Sequence, residues 1–132
     1  MIDAQNVISF KAEAYPIRLV KTRAFFVEAA LLFSREELVG FLNYISANPH
    51  MGTPIPGVVG LRKISWNSCM LGRRQARIIY FFRDLNMPLF LVAIYANSER
   101  VALSKAEMQE ISEKLSRLVT GHAFDMPALL TA

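Results

Sequence analysis

Apolar positions recur along this chain with two different periods, and the changes of period mark its elements. Residues 17–22 (IRLVKT) have the length and β-branched content of a short strand. Residues 23–33, rich in Ala, Leu and Phe, read as helix. Ser34-Arg35-Glu36-Glu37 has the form of a capping box, with Ser34 as N-cap and Glu37 three positions on. It opens a second helix whose apolar stripe is Leu38, Phe41, Leu42 and Ile45, and Asn48-Pro49 stops it. The segment 51–60 (MGTPIPGVVG) mixes proline with glycine and must be a shaped loop. Three strands follow, at about 61–67, 76–83 and 89–96, the last two joined by a turn at 84–88. A second capping box, Ser104 to Glu107, starts a helix with Met108, Ile111, Leu115 and Leu118 on one face, and Gly121 suits its exit.

Short turns between the consecutive strands predict antiparallel pairing. The expected fold is therefore α+β: a mostly antiparallel sheet of about four strands, with two N-terminal helices and one C-terminal helix packed on it. The strand at 89–96 (LFLVAIYA) is apolar at both parities, which predicts a central position covered on both sides. No internal repeat or Gly/Ser-rich linker divides the chain. One domain at 17–120 is expected, with a peripheral extension at 1–16 and a tail at 121–132.

Composition then narrows the class. A hydrophobic content of 53% excludes a disordered chain, and the longest apolar run, 89–96, is far shorter than a bilayer span. The first twenty residues carry charges among their apolar positions and lack the core of a secretory signal. A single cysteine, Cys69, cannot form an internal disulfide. A soluble cytoplasmic protein with no membrane partner is expected.

Charge changes the picture most. The net charge is +4, but between Glu37 and Asp84 there is no acid at all, while Arg62, Lys63, Arg73, Arg74, Arg77 and Arg83 fall in that window. Its counter-charge comes from solvent ions, from distant acids in the fold, or from a polyanionic or acidic partner. Parity sorts these cations. If Ile64 and Trp66 face the core, Lys63 and Ser65 point the other way. If Ile78, Tyr80 and Phe82 form the core set of the next strand, then Arg77, Ile79, Phe81 and Arg83 share the face of Lys63. The expectation is a basic face interleaved with exposed Ile79 and Phe81, rimmed by Arg73 and Arg74, which suits phosphate binding and base stacking.

Conventional catalytic machinery is absent from the sequence. There is no Gly-rich phosphate loop, no nucleophile elbow and no cysteine or histidine cluster with metal spacing, so no metal or cofactor is expected. His50 at a helix end, His122 in the tail and Cys69 in a loop have ordinary structural readings, and Trp66 reads as core.

Three groups of residues nonetheless carry a likeness. They are Gly52-x-Pro54-Ile55-Pro56-Gly57-x-x-Gly60-Leu61-Arg62-Lys63-Ile64-x-Trp66; Ala76-Arg77-Ile78-Ile79-Tyr80; and Ile94 to Glu99 with Leu103 to Glu107. Together they resemble the HigB branch of the RelE/ParE superfamily, the small toxins of type II toxin–antitoxin modules, over roughly residues 17–118. The resemblance implies a RelE-like fold and a ribosome-dependent endoribonuclease, an mRNA interferase that cuts translated mRNA and is restrained by a helix-turn-helix antitoxin. It also gives the missing acid/base pair a reason. RNA brings its own nucleophile, the 2′-hydroxyl, so the enzyme need only align it and stabilise a dianionic phosphorane. Position by position, Arg77 matches the family's strand arginine at the scissile phosphate, and Lys63 a basic position for proton transfer or charge stabilisation. Arg62, Arg73, Arg74 and Arg83, with Phe81, would bind RNA or ribosomal phosphates.

Two departures keep a second reading open. The loop at 69–75 lacks the family's longer Gly/Lys-rich stretch, and Asn97 stands where relatives often carry Lys. A ParE-like gyrase inhibitor, or a degenerate toxin acting only through protein binding, is the alternative.

Overall fold

The computed structural model describes residues 7–11, 17–72, 75–96 and 103–123. In chain order the elements are β1 (Val7–Lys11), β2 (Arg18–Thr22), α1 (Arg23–Leu32), α2 (Arg35–Ala47), β3 (Thr53–Pro54), β4 (Leu61–Asn67), a 3-10 turn (Cys69–Leu71), β5 (Gln75–Phe81), β6 (Leu89–Tyr95) and α3 (Lys105–Ala123). The fold is α+β, as the pattern predicts.

Local signals account for the helices. Thr22 Oγ1 accepts from the Phe25 amide and caps α1. Both expected capping boxes form: Ser34 and Glu37 exchange bonds of 3.1 and 2.9 Å at the start of α2, and Ser104 and Glu107 do the same before α3. Gly121 does not end α3, which continues to Ala123. One glycine costs a helix only about 1 kcal/mol relative to alanine, too little to stop it unaided.

The sheet has six strands in the order β1-β2-β6-β5-β4-β3. β4, β5 and β6 form the expected antiparallel meander, whereas β2 pairs with β6 in parallel. Two strands exceed the expected four. β1 belongs to the segment expected to be peripheral, and pairs with β2 from Val7↔Thr22 to Lys11↔Arg18. β3 comes from the Pro/Gly loop, with Thr53 opposite Lys63 and Pro54 opposite Arg62. Pro54 is tolerated because β3 is an edge strand, where a missing N–H costs no inner ladder bond. The tail residues 124–132 lie outside the described residues.

Two apolar layers hold the sheet between them. On one face Phe25, Ala29 and Leu32 of α1 and Phe41, Leu42 and Ile45 of α2 pack on Leu19, Ile78, Tyr80, Leu89, Leu91 and Ile94. On the other, Ile111, Leu115 and Leu118 of α3 pack on Val20, Leu61, Ile79, Phe81, Phe90 and Val92. Leu89, Phe90, Leu91 and Val92 are fully buried, in keeping with a central strand covered on both sides.

A bulge in β6 bears directly on the site. Ile79 pairs with Ala93 but Tyr80 pairs with Leu91, leaving Val92 as an extra residue. Lys114 of α3 donates from Nζ to the Val92 carbonyl at 3.1 Å, and burial there holds its ammonium below the ordinary lysine range. Because of the extra residue, Val92 and Ala93 both belong to the α3 layer, and so does Tyr95.

Candidate functional site on the α3 face of the sheet

Cross-strand register fixes which side chains share this face. Leu61 lies opposite Phe81, Lys63 opposite Ile79, Ser65 opposite Arg77 and Asn67 opposite Gln75; on the other side of β5, Arg77 lies opposite Tyr95. Directly paired residues have Cβ atoms about 5 Å apart. The face thus divides into two halves. Around Leu61, Ile79, Phe81, Phe90 and Val92 it is apolar and lies under α3. Beyond, it is polar: Lys63, Ser65, Arg77 and Tyr95 are half-buried, and at the far edge Gln75 Nε2 donates to Asn67 Oδ1 at 3.0 Å.

Lys63 and Arg77 therefore share a face on adjacent strands, as parity predicts, one diagonal step apart. Two cations and two hydroxyls share the polar half of the face. Such a set can neutralise a phosphodiester and donate to its oxygens. Tyr95 was not singled out from the sequence, although it stands in the Ile94–Glu99 motif. Simple alternation in a strand starting at Leu89 sends Tyr95 to the side of Leu89 and Leu91, and only the bulge brings it to Arg77.

Three expectations for the basic face need correction. Phe81 is 6% exposed and Ile79 1%, so neither can stack on a base; both lie under α3. Arg83 lies beyond the opposite end of β5, roughly 20 Å from Arg77 at about 3.3 Å per residue. It is exposed, 4.0 Å from the Asp84 carboxylate.

Arg62 is the third. It pairs across β4–β5 with Tyr80, which places it on the α1/α2 side of the sheet. Its Nη1 donates to the carbonyls of His50 (3.0 Å) and Gly52 (2.8 Å). Tyr80 completes the clamp: Oη accepts from the Gly52 amide and donates to the Pro49 carbonyl, both at 2.8 Å. A Cβ at Gly52 would lie 2.6 Å from that oxygen, so the position requires glycine. Burial raises the Tyr80 phenol above its ordinary range, which keeps it a donor. Arg62 therefore anchors the loop before β3. Arg73, Arg74 and Asn97 lie outside the described residues.

On the α1/α2 side, the start of the β4–β5 connection is tied to the helices. Trp66 Nε1 donates to the Glu37 carbonyl at 3.0 Å, with its ring 5.4 Å from those of Phe41 and Tyr44. Ser68 Oγ donates to the Leu32 carbonyl, and the Cys69 amide donates to Glu37 Oε2 at 2.9 Å.

Among the described residues no group of three or more His, Cys, Asp or Glu is placed to hold a metal ion, and no helix is long and apolar enough to cross a membrane. Compared with models of known protein families, the chain matches none.

Proposed function

We propose that this chain is an endoribonuclease that cuts mRNA during translation, the toxin of a type II toxin–antitoxin module acting in the cytoplasm. The observation that carries the reading is that Lys63 and Arg77 lie on one sheet face, one diagonal step apart, with Ser65 and Tyr95 beside Arg77. The likeness of the Gly52–Trp66 and Ala76–Tyr80 segments to HigB-like toxins supports it.

The chemistry asks little of the protein. The 2′-oxygen loses its proton and attacks the adjacent phosphorus; the bond to the 5′-oxygen breaks, and that oxygen takes a proton as it leaves. Arg77 stabilises the dianionic phosphorane, with its planar fork matched to two phosphoryl oxygens. Lys63 supplies a second charge at the same phosphate or moves a proton. The Tyr95 and Ser65 hydroxyls are donors to the phosphate and the leaving oxygen. The products are a 2′,3′-cyclic phosphate and a free 5′-hydroxyl. The ribosome supplies the rest by holding the mRNA strand in place. The partner in this reading is a helix-turn-helix antitoxin, encoded by a neighbouring reading frame.

Primer extension on a reporter mRNA in a translating extract tests the reading. The wild-type protein should produce cuts that appear only during translation, and Arg77→Ala should lose them with its fold intact. Intact mRNA at doses that still arrest growth would sink it in favour of a gyrase or another protein target.

A further inference from the structure

The side chain of Glu37 does two things at once. Its Oε1 accepts from the Ser34 amide at 2.9 Å, closing the capping box of α2, and its Oε2 accepts from the Cys69 amide at 2.9 Å. The second bond spans thirty-two positions of sequence and lands where β4 has ended and the connection to β5 begins. That connection delivers Gln75 and then Arg77 to the site face, and it carries Arg73 and Arg74 in its sequence. The Trp66 and Ser68 bonds to the carbonyls of Glu37 and Leu32 tie its start, and the Gln75 bond to Asn67 Oδ1 links its two ends. The first two act at Trp66 and Ser68, whereas the Glu37 carboxylate reaches past Ser68 into the connection, where α1 also packs on Cys69–Leu71. Beyond that bond the Gly72 amide donates to the Cys69 carbonyl at 3.4 Å, so what fixes Cys69 also bears on the turn that follows.

A capping box needs only one carboxylate oxygen. The second oxygen on a loop amide is extra, and it falls on the one segment that joins the two strands bearing Lys63 and Arg77. We infer that Glu37 is a positioning residue for the candidate site: by holding Cys69 it fixes the start of the β4–β5 connection and, with it, how β5 presents Arg77. The consequence for cleavage rests on the RNA-cleaving reading; the anchoring itself does not.

The test compares Glu37→Gln with Ser34→Ala in the full chain. Glu37→Gln keeps one acceptor oxygen and turns an amide N–H₂ on the second donor, leaving the Trp66 and Ser68 bonds in place. Ser34→Ala weakens the cap but leaves Glu37 free to accept from both amides. Hydrogen exchange should show the Cys69 amide opening about tenfold faster in Glu37→Gln and unchanged in Ser34→Ala, tenfold being the usual cost of one charge-assisted bond. In the translating extract Glu37→Gln should cut several-fold more slowly than Ser34→Ala at matched thermal stability. Equal exchange at Cys69 in the two variants, or equal loss of cutting, overturns the inference. If the wild-type protein cuts no mRNA, the functional reading fails, and exchange at Cys69 alone decides the anchoring.

Discussion

Arg62 and Arg77 sit on neighbouring strands of one hairpin and do opposite work. Arg62 faces α1 and α2, where its guanidinium binds the carbonyls of His50 and Gly52 beside the Tyr80 hydroxyl. Arg77 faces the α3 side, between Ser65 and Tyr95, at the polar end of that face. The side chains are chemically identical, so the difference lies in what the opposite layer provides. The α1/α2 side presents loop carbonyls to which a half-buried cation can donate. The α3 side presents an apolar half under a helix and a polar half formed by Lys63, Ser65, Arg77 and Tyr95. Clustered arginines in a sequence therefore do not make one basic surface; the sheet sorts them.

This contrast can be broken by substitution, and the largest effect is expected at the site. Arg77→Ala should slow mRNA cleavage by about two to three orders of magnitude, the usual loss when one transition-state donor is removed. Its melting temperature should stay close to wild type, because a half-exposed surface cation contributes little to stability. Arg62→Ala should do the reverse. Losing two bonds from a charged donor destabilises by roughly 2–3 kcal/mol, read as a lower midpoint in urea, while cleavage per folded molecule is retained. A variant pair that lost activity and stability together would show that the two faces are not separate.

Tyr80→Phe sharpens the comparison on the structural side. It leaves the buried Gly52 amide without its acceptor, at a cost of about 1–2 kcal/mol. Denaturant titration should show that loss with no change in cleavage. The smallest effect is a pH dependence. The Ser34 amide lowers the Glu37 carboxyl most, burial opposes it next and the Cys69 amide adds a smaller lowering, so the group lies below its ordinary value of 4.5. A carboxyl depressed in the folded state adds stability above its unfolded value, and that stability is lost as pH falls through the folded one. Stability should thus decline below about pH 4.5 more steeply in the wild type than in Glu37→Gln, measured by thermal melts across that window.

Much of the fold was legible because its signals are local. The Ser34–Glu37 and Ser104–Glu107 boxes each lie within four residues and form as read. The double-sided apolar run of β6 identified the central strand, and the parity of Ile64 and Trp66 put Lys63 on the right face. β1 escaped because five residues among charges give a weak period, and its strand character comes from pairing with β2. β3 escaped because a two-residue edge strand has no period at all.

What the sequence determined by itself, then, was the identity of the elements, their caps and the alternation within each strand, all set by interactions a few residues long. Only the tertiary structure decided what lies over each face. It placed α3 on Ile79 and Phe81, set the parallel pairing of β2 with β6, and gave Arg62 its carbonyls. It also inserted Val92 as a bulge, turning Tyr95 toward Arg77. Those outcomes depend on contacts between segments far apart in the chain, where one extra residue reverses every side chain beyond it.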